Sequence, residues 1–310
     1  MLYNNLGLCC HFLEPSKPGY QNTGYQNILT QKVLQLGRYL DGKYSAHQIV
    51  STYENNVDTL LKYLPKIFET YKVFRMPSGF FPLFDQVEES LWNNDKIKEK
   101  LFCLGTLVKS NNVRVTFHPG QFCSLTSLNE NVRLNSTREI NHHSWIMDMM
   151  QLDATPYYAI NIHGGKRDRE DCLVMELDNL LSPNARARVT LENDESCYSV
   201  GDLLKVYKRT GVPVVFDSHH HTFNDDGLTH QEAYDACVQT WQGIKPKQHI
   251  SNTTLGLENS SFTKRRQHSH YIHQIPECQL NGIRCDQIDL MCEVKLKNIT
   301  IEKMKKDFEL

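Results

Sequence analysis

Seven residues of metal-ligand type recur at one kind of place in this chain: His118, His163, Glu192, Asp217, His220, His249 and Glu293. Each closes, or follows within a few residues, a short run that reads as a buried β-strand. A mixed set of imidazoles and carboxylates suits Zn2+, Mn2+ or Fe2+ better than Ca2+, which prefers oxygen alone. There are more candidate ligands than one ion needs, so two or three clustered ions are expected. Such clusters clamp phosphate oxygens and lower the pKa of a bound water, the apparatus of phosphodiester hydrolysis. A lone histidine after a strand is more often a hydrogen-bonded structural residue than a ligand. Coincidence at many strand ends carries the argument.

The elements that must position these residues are eight strand candidates: Asn5–Cys10, Lys72–Arg75, Val113–Phe117, Tyr157–Ile162, Ala187–Leu191, Val212–Phe216, Gln248–Ile250 and Ile288–Cys292. Segments with helical apolar spacing lie between them: Ala46–Thr70, Leu101–Ser110, Ser136–Leu152, Ser199–Thr210 and Ala233–Gly243. Ser199 with Asp202 resembles a capping box, and Gly211 is placed to end that helix. Strand and helix in alternation predict an α/β fold, a TIM (β/α)8 barrel with the metal site at its C-terminal mouth. Side chains alternate along a strand, so Lys247 and His249 share a face, as do Asp289, Met291 and Glu293. Gly164 and Gly165 after His163 are expected to let a ligand approach the backbone. Glu14–Thr30 and Asn252–His270 read as long polar loops at the mouth.

The bulk numbers are compatible with this. The 310 residues suit a single barrel domain over 1–310, and 40% hydrophobic content is enough for a large core. No apolar run reaches the roughly eighteen residues of a membrane span, and no export signal is evident at the start. Ten scattered cysteines without a CxxC pair suggest free thiols, so a soluble cytoplasmic chain in a reducing compartment is expected. A formal charge of −2 is weak evidence against a large DNA footprint, although the local field matters more.

At His118-Pro119-Gly120-Gln121, Leu191-Glu192-Asn193-Asp194, Phe216-Asp217-Ser218-His219-His220, Lys247-Gln248-His249 and Asp289-Leu290-Met291-Cys292-Glu293 the chain resembles the UV damage endonuclease family. These are metal-dependent barrels related to endonuclease IV, and the likeness runs from about Leu6 to Lys297. The resemblance implies cleavage beside a UV-type or other lesion in duplex DNA by a monomer. It implies up to three divalent ions, commonly Mn2+, with Zn2+, Mg2+ or Co2+ as alternatives. His118, His163 and Glu192 would hold one ion. Glu192 would bridge to a second held with Asp217, His268 and Glu293, and His220, His249 and Lys247 would hold a third. The family carboxylates the matching lysine, which makes Lys247 a catalytic candidate beside Glu192 and Glu293. Gln121 and Phe122 match the pair that the family inserts at the lesion.

Several positions depart from the family's pattern. An aromatic and an amide that probe the lesion fall on Leu8 and Phe12, a histidine after the second strand falls on Gln86, and an acid after His268-Ser269 falls on His270. DNA phosphates would be met by Lys166, Arg167 and Arg169, and by Lys264, Arg265 and Arg266. Two rivals compete with a nuclease: a metal-dependent sugar isomerase or epimerase on a similar barrel, and a damaged-DNA binder that has lost cleavage. The first would have little use for a protruding Gln-Phe pair.

Overall fold

Very short, fully buried strands build the centre of this molecule. The computed structural model describes residues 4–16, 24–120 and 122–310. Its strands are β1 (Leu6–Cys9), β2 (Leu13–Pro15), β3 (Tyr25–Asn27), β4 (Val73–Arg75), β5 (Arg114–Thr116), β6 (Ile160–His163), β7 (Val189–Glu192), β8 (Val214–Val215), β9 (Lys247–Ile250) and β10 (Asp289–Cys292). All but β2 and β3 run parallel to their neighbours, in a five-stranded sheet of order β5-β4-β1-β10-β9 and a three-stranded sheet of order β6-β7-β8.

The eight expected strands are therefore present, but as a curled parallel sheet in two parts rather than one continuous ladder. The parts meet at two seams, each a single parallel bridge: Phe117 with Ile160, and Asp217 with His249. At the first, the Phe117 carbonyl accepts from the Asn161 N–H at 2.9 Å; at the second, the Phe216 carbonyl accepts from the His249 N–H at 2.9 Å. Strands of two to four residues offer few rungs to share, which is why a seam carries so little.

Helices cover the outer face. Ala46–Thr70 buries Ile49, Tyr53, Val57, Leu60, Leu64, Ile67 and Phe68, one stripe at helical spacing, and Ser45 with Gln48 caps its start. Val200–Thr210 has the Ser199–Asp202 capping box and ends on Gly211 at φ 69°, a left-handed position that glycine takes without strain. The helices Asp95–Ser110, Glu130–Met149 and His230–Gln239 begin earlier than the apolar spacing alone indicates, because polar first turns carry no stripe. Within Asp95–Ser110, a Cβ on Gly105 would lie 1.8 Å from the Met150 carbonyl oxygen, so only glycine lets these helices approach so closely.

One loop expectation is corrected. The segment read as loop Glu14–Thr30 contains most of an antiparallel hairpin, β2 with β3, in the register Leu13 opposite Asn27. Asn298 clamps it, accepting from the Leu13 N–H at 2.7 Å and donating to the Leu13 carbonyl at 3.0 Å. The Asn252–His270 segment holds a one-turn helix, Phe262–Arg265, and a bridge between Thr253 and His268. All ten cysteines are free, and no helix among the described residues is long and apolar enough to cross a membrane.

Candidate metal centre

Parallel strands bring their C-terminal ends to one side. There a cavity of about 650 Å³ is lined by His118, His163, His220, His268 and Glu293, together with Arg75 and Glu195. His163 and Glu192 are the last residues of β6 and β7 and lie opposite each other in register. Asp217 follows β8 and caps the one-turn helix Ser218–His221 by accepting from the His220 N–H at 2.8 Å. That turn separates the three adjacent imidazoles. His220 faces the cavity, while the His219 ring reaches the Arg266 carbonyl at 3.2 Å and the His221 ring the Leu228 carbonyl at 2.9 Å.

Glu192, fully buried, lies at the middle of the group. Its carboxylate is 3.4 Å from His118 Nε2, 3.5 Å from His220 Nδ1 and 3.0 Å from His249 Nδ1, and it accepts from the Asn161 amide. Glu293 lies 2.8 Å from His249 Nδ1 and 3.9 Å from His268 Nδ1. Two groups have one ligand atom per residue within 4.8 Å of one another: His118, His163 and Glu192; and Glu192, Asp217 and His249. Either could hold a metal ion. Where the resemblance groups His249 with His220 and Lys247, the geometry groups it with Glu192 and Asp217. His118 Nδ1 is 3.0 Å from the Pro119 carbonyl and His220 Nδ1 is 2.9 Å from the Asn193 carbonyl. Such contacts are what fix a ligand imidazole's tautomer and leave Nε2 free to coordinate.

The polar atoms here are unusually short of partners. Glu192 Oε1, Asp217 Oδ2, His163 Nδ1 and Lys247 Nζ are all buried without a hydrogen bond. Leaving one such group unpaired costs about 1–3 kcal/mol, more when it is charged. The donor set therefore fits bound cations far better than a self-contained polar core.

Charge is strongly organised. Burial alone would raise the Glu192 carboxyl, but the His249 and His163 imidazoles outweigh it and hold the group well below the usual range. Glu293 is likewise held low against burial, by Arg75 first and then His249. Burial drives His118 down to about 4. His220 goes the other way, to about 9, because Asp217, Glu192, Glu195 and Glu293 overcome its burial. Lys247 is pulled down to about 7 by burial and by Arg75, so its amine sheds its proton easily.

Other expected residues fall in varied places. Phe122 is 81% exposed, on the turn after His118, and Gln121 lies outside the described residues. Lys166, Arg167 and Lys264 are exposed, whereas Arg265 is half-buried with its guanidinium 5.5 Å from the Phe223 ring centroid. Leu8 is fully buried in the core, and Phe12 packs edge-on against Tyr71 at 6.2 Å. Gln86 is exposed and donates to Asp85 at 2.8 Å. Gly165 lines the cavity, and packing on the opposite side also demands glycine at both Gly164 and Gly165. A Cβ on Gly164 would lie 2.4 Å from the Tyr198 ring, and one on Gly165 2.5 Å from the Ser124 and Thr126 hydroxyls.

Two charged residues of the cavity were absent from the expected set. Arg75 ends β4, ion-pairs with Glu293 and stands 3.4 Å from His249 Nε2. The strand-end rule points to it, but arginine is not a ligand type. Glu195, three residues beyond Glu192, has Oε2 3.8 Å from His220 Nε2 and an ion pair with Arg266. A carboxylate in a loop offers no periodic signal.

The family model described as UV-endonuclease UvdE matches residues 22–310. A UV DNA damage endonuclease of Deinococcus radiodurans is 33% identical over 215 residues, 66% of this chain and 68% of that protein. One of Bacillus pumilus is 29% identical over 80% of this chain and 78% of its own length. One of Clostridium perfringens is 28% identical over 86% of this chain, which spans 65% of that protein. The crystal structure of SacUVDE superposes with a TM-score of 0.78 over 98% of this chain and 99% of that one, at 24% identity, a likeness of fold. With its family model matched over nearly the whole length, this chain belongs to the UV-endonuclease UvdE family.

Proposed function

We propose that this protein is a DNA repair endonuclease that hydrolyses a phosphodiester bond beside a UV-type or other lesion in duplex DNA. The observation that carries the reading is the ring of buried, unpartnered donor atoms around Glu192 at the mouth of the parallel strands. His118, His163 and Glu192 would hold one divalent ion, and Glu192, Asp217 and His249 a second, with Glu293 and His268 beside them. Mn2+ is the ion we favour for this mixed nitrogen and oxygen set. Ions bound there supply charge for the phosphate oxygens and an acidified water.

The chain's own residues do the rest. Glu192 and Glu293, both ionised, set the negative charge that retains the ions. Arg75 keeps the Glu293 carboxylate aimed inward. Lys247, with an easily neutralised amine, is the residue we assign to carboxylation and to ion binding. Phe122, with Gln121, would enter the duplex at the lesion, and Lys166, Arg167, Lys264 and Arg265 would meet phosphates. We read the two curved sheets as one closed eight-stranded barrel across their seams, acting as a monomeric, cytoplasmic single domain.

A nicking assay on irradiated, abasic and intact plasmid, with a sugar-isomerisation control, tests this. Manganese-dependent nicking of the irradiated plasmid above the intact one is expected. Isomerisation without nicking, or lesion binding without nicking, would overturn it.

A further inference from the structure

We propose that Glu139 and Ser136 are positioning residues that fix the turn presenting Phe122, so that the ring meets damaged duplex from a rigid support. The inference rests on the nuclease reading, with Phe122 as an inserted ring, and concerns residues outside the metal centre.

An exposed ring has little of its own to aim it. Phe122 is 81% exposed, and with Phe84, Val132, Ser136 and Glu139 it borders a hollow of about 240 Å³ rather than a filled core. The direction of the ring must therefore come from the backbone, and the backbone is fastened on both sides of it. The Gly120 N–H donates to Glu139 Oε1 at 2.8 Å, and the Ser124 N–H donates to Ser136 Oγ at 2.7 Å. Between these two points the Cys123 N–H donates to the Gly120 carbonyl at 2.9 Å, which reverses the chain. Just beyond, the Thr126 hydroxyl donates to the Gly164 carbonyl at 3.0 Å and ties the loop to the end of β6.

Both fastenings come from one helix. Ser136 and Glu139 lie three residues apart on Glu130–Met149 and so share a face. Ile140, Ile146 and Met147 of that helix are buried in the core, which makes it a firm base. Ser136 donates its own hydroxyl proton to the Val132 carbonyl at 2.7 Å, which leaves its oxygen free to accept. Burial lifts the half-buried Glu139 carboxyl above its ordinary range, Asp85 adds to this, and the Gly120 N–H works against it. A carboxylate beside a DNA path repels phosphate, so its presence there is explained by the backbone it holds. A turn ordered in advance carries less ordering cost at the moment of insertion.

The test pairs stopped-flow fluorescence with nicking of irradiated plasmid. 2-Aminopurine beside an abasic site in a synthetic duplex brightens when its stacking is broken, before the strand is cut. Wild type, Glu139→Ala, Glu139→Gln, Ser136→Ala, Phe122→Ala and the double variant Phe122→Ala with Glu139→Ala are compared, with circular dichroism as a check on folding. Glu139→Ala and Ser136→Ala should each slow brightening and nicking about 3- to 10-fold, the size expected for one net hydrogen bond, with Mn2+ binding unchanged. Glu139→Gln, whose amide oxygen can still accept from Gly120, should stay within about 2-fold of wild type. The double variant should be no slower than Phe122→Ala alone, because Glu139 acts through that ring. Wild-type rates in folded Glu139→Ala, a Glu139→Gln as slow as Glu139→Ala, or losses that multiply in the double variant would overturn this inference and leave the nuclease reading standing. A wild-type chain that neither brightens the probe nor nicks the plasmid would overturn both.

Discussion

Two buried charge clusters sit at opposite ends of the same parallel strands, and they differ in one respect. At the N-terminal end, Arg114 opens β5 and Asp289 opens β10, 2.9 Å apart. Arg114 also donates to the carbonyls of Tyr157, Lys245 and Pro156 and lies near the rings of Tyr157 and Trp241, while Lys245 reaches Asp289 at 3.0 Å. Neither Arg114 nor Asp289 is left with an unpartnered buried atom. At the C-terminal end, Glu192, Asp217 and His163 each keep one. A satisfied cluster holds the fold; an unsatisfied one of the same burial is arranged for something else to bind.

The largest expected effect breaks the unsatisfied cluster. Glu192→Gln should lower nicking by at least about 100-fold and reduce bound Mn2+, with little change in melting temperature in EDTA. Wild-type nicking at limiting manganese would remove Glu192 from its bridging place. Arg114→Ala should show the opposite: a loss of about 3–5 kcal/mol in urea unfolding, because the Asp289 carboxylate stays buried with its main partner gone. The folded fraction should still nick. If it does not, the contrast between the two ends is wrong.

Phe122→Ala probes the rim rather than either cluster. A stacked base is worth about 1–3 kcal/mol, so cleavage of damaged duplex should fall roughly 5- to 150-fold. Melting temperature should hold, since the ring is 81% exposed. A core phenylalanine would instead cost about 3–5 kcal/mol of stability.

The smallest effect concerns Lys247, which opens β9 opposite Asp289 and feels the charges of both clusters, Arg75, Glu192 and Glu293 of one and Arg114 of the other. Its folded pKa of about 7 lies below its ordinary 10.5. Below about pH 7 the amine is protonated in both states, and the full cost of burying an ammonium is present. From pH 7 toward 10.5 the folded amine is neutral while the unfolded chain still takes up the proton, so that cost shrinks. Lys247→Met in EDTA should therefore gain stability over wild type, more at pH 6 than at pH 9. An equal gain at both values would place a normal lysine there.

Much of this was legible in the residues because a parallel strand leaves a clear mark: a short apolar run that stops on a polar residue. His118, His163, Glu192, Asp217 and Glu293 could be found by that mark. The hairpin of β2 and β3 could not, because three-residue strands among Gly, Pro and Asn show no alternation. His220 was singled out from His219 and His221, and the single helical turn capped by Asp217 is what brings its ring to the mouth. Arg75 and Glu195 matter through pairs formed across the chain, with Glu293, His220 and Arg266. Such partners become visible only when the strands are brought together.

The two seams have a mechanical consequence. His118 follows β5 of the five-stranded sheet, whereas His163 and Glu192 end strands of the three-stranded one; in the other group Glu192 ends β7 and Asp217 follows β8 of the three-stranded sheet, whereas His249 lies in β9 of the five-stranded one. Each ligand group thus straddles a different seam, at the point where one backbone bridge holds the halves together. Ions in those places would act as rivets. At 100 times its dissociation constant, an ion that binds only the closed form adds about 2.7 kcal/mol. Chelation should then loosen the molecule along two lines before it loosens anywhere else, with amide exchange quickening first at Phe117, Asn161 and His249, backbone donors that cross the gaps.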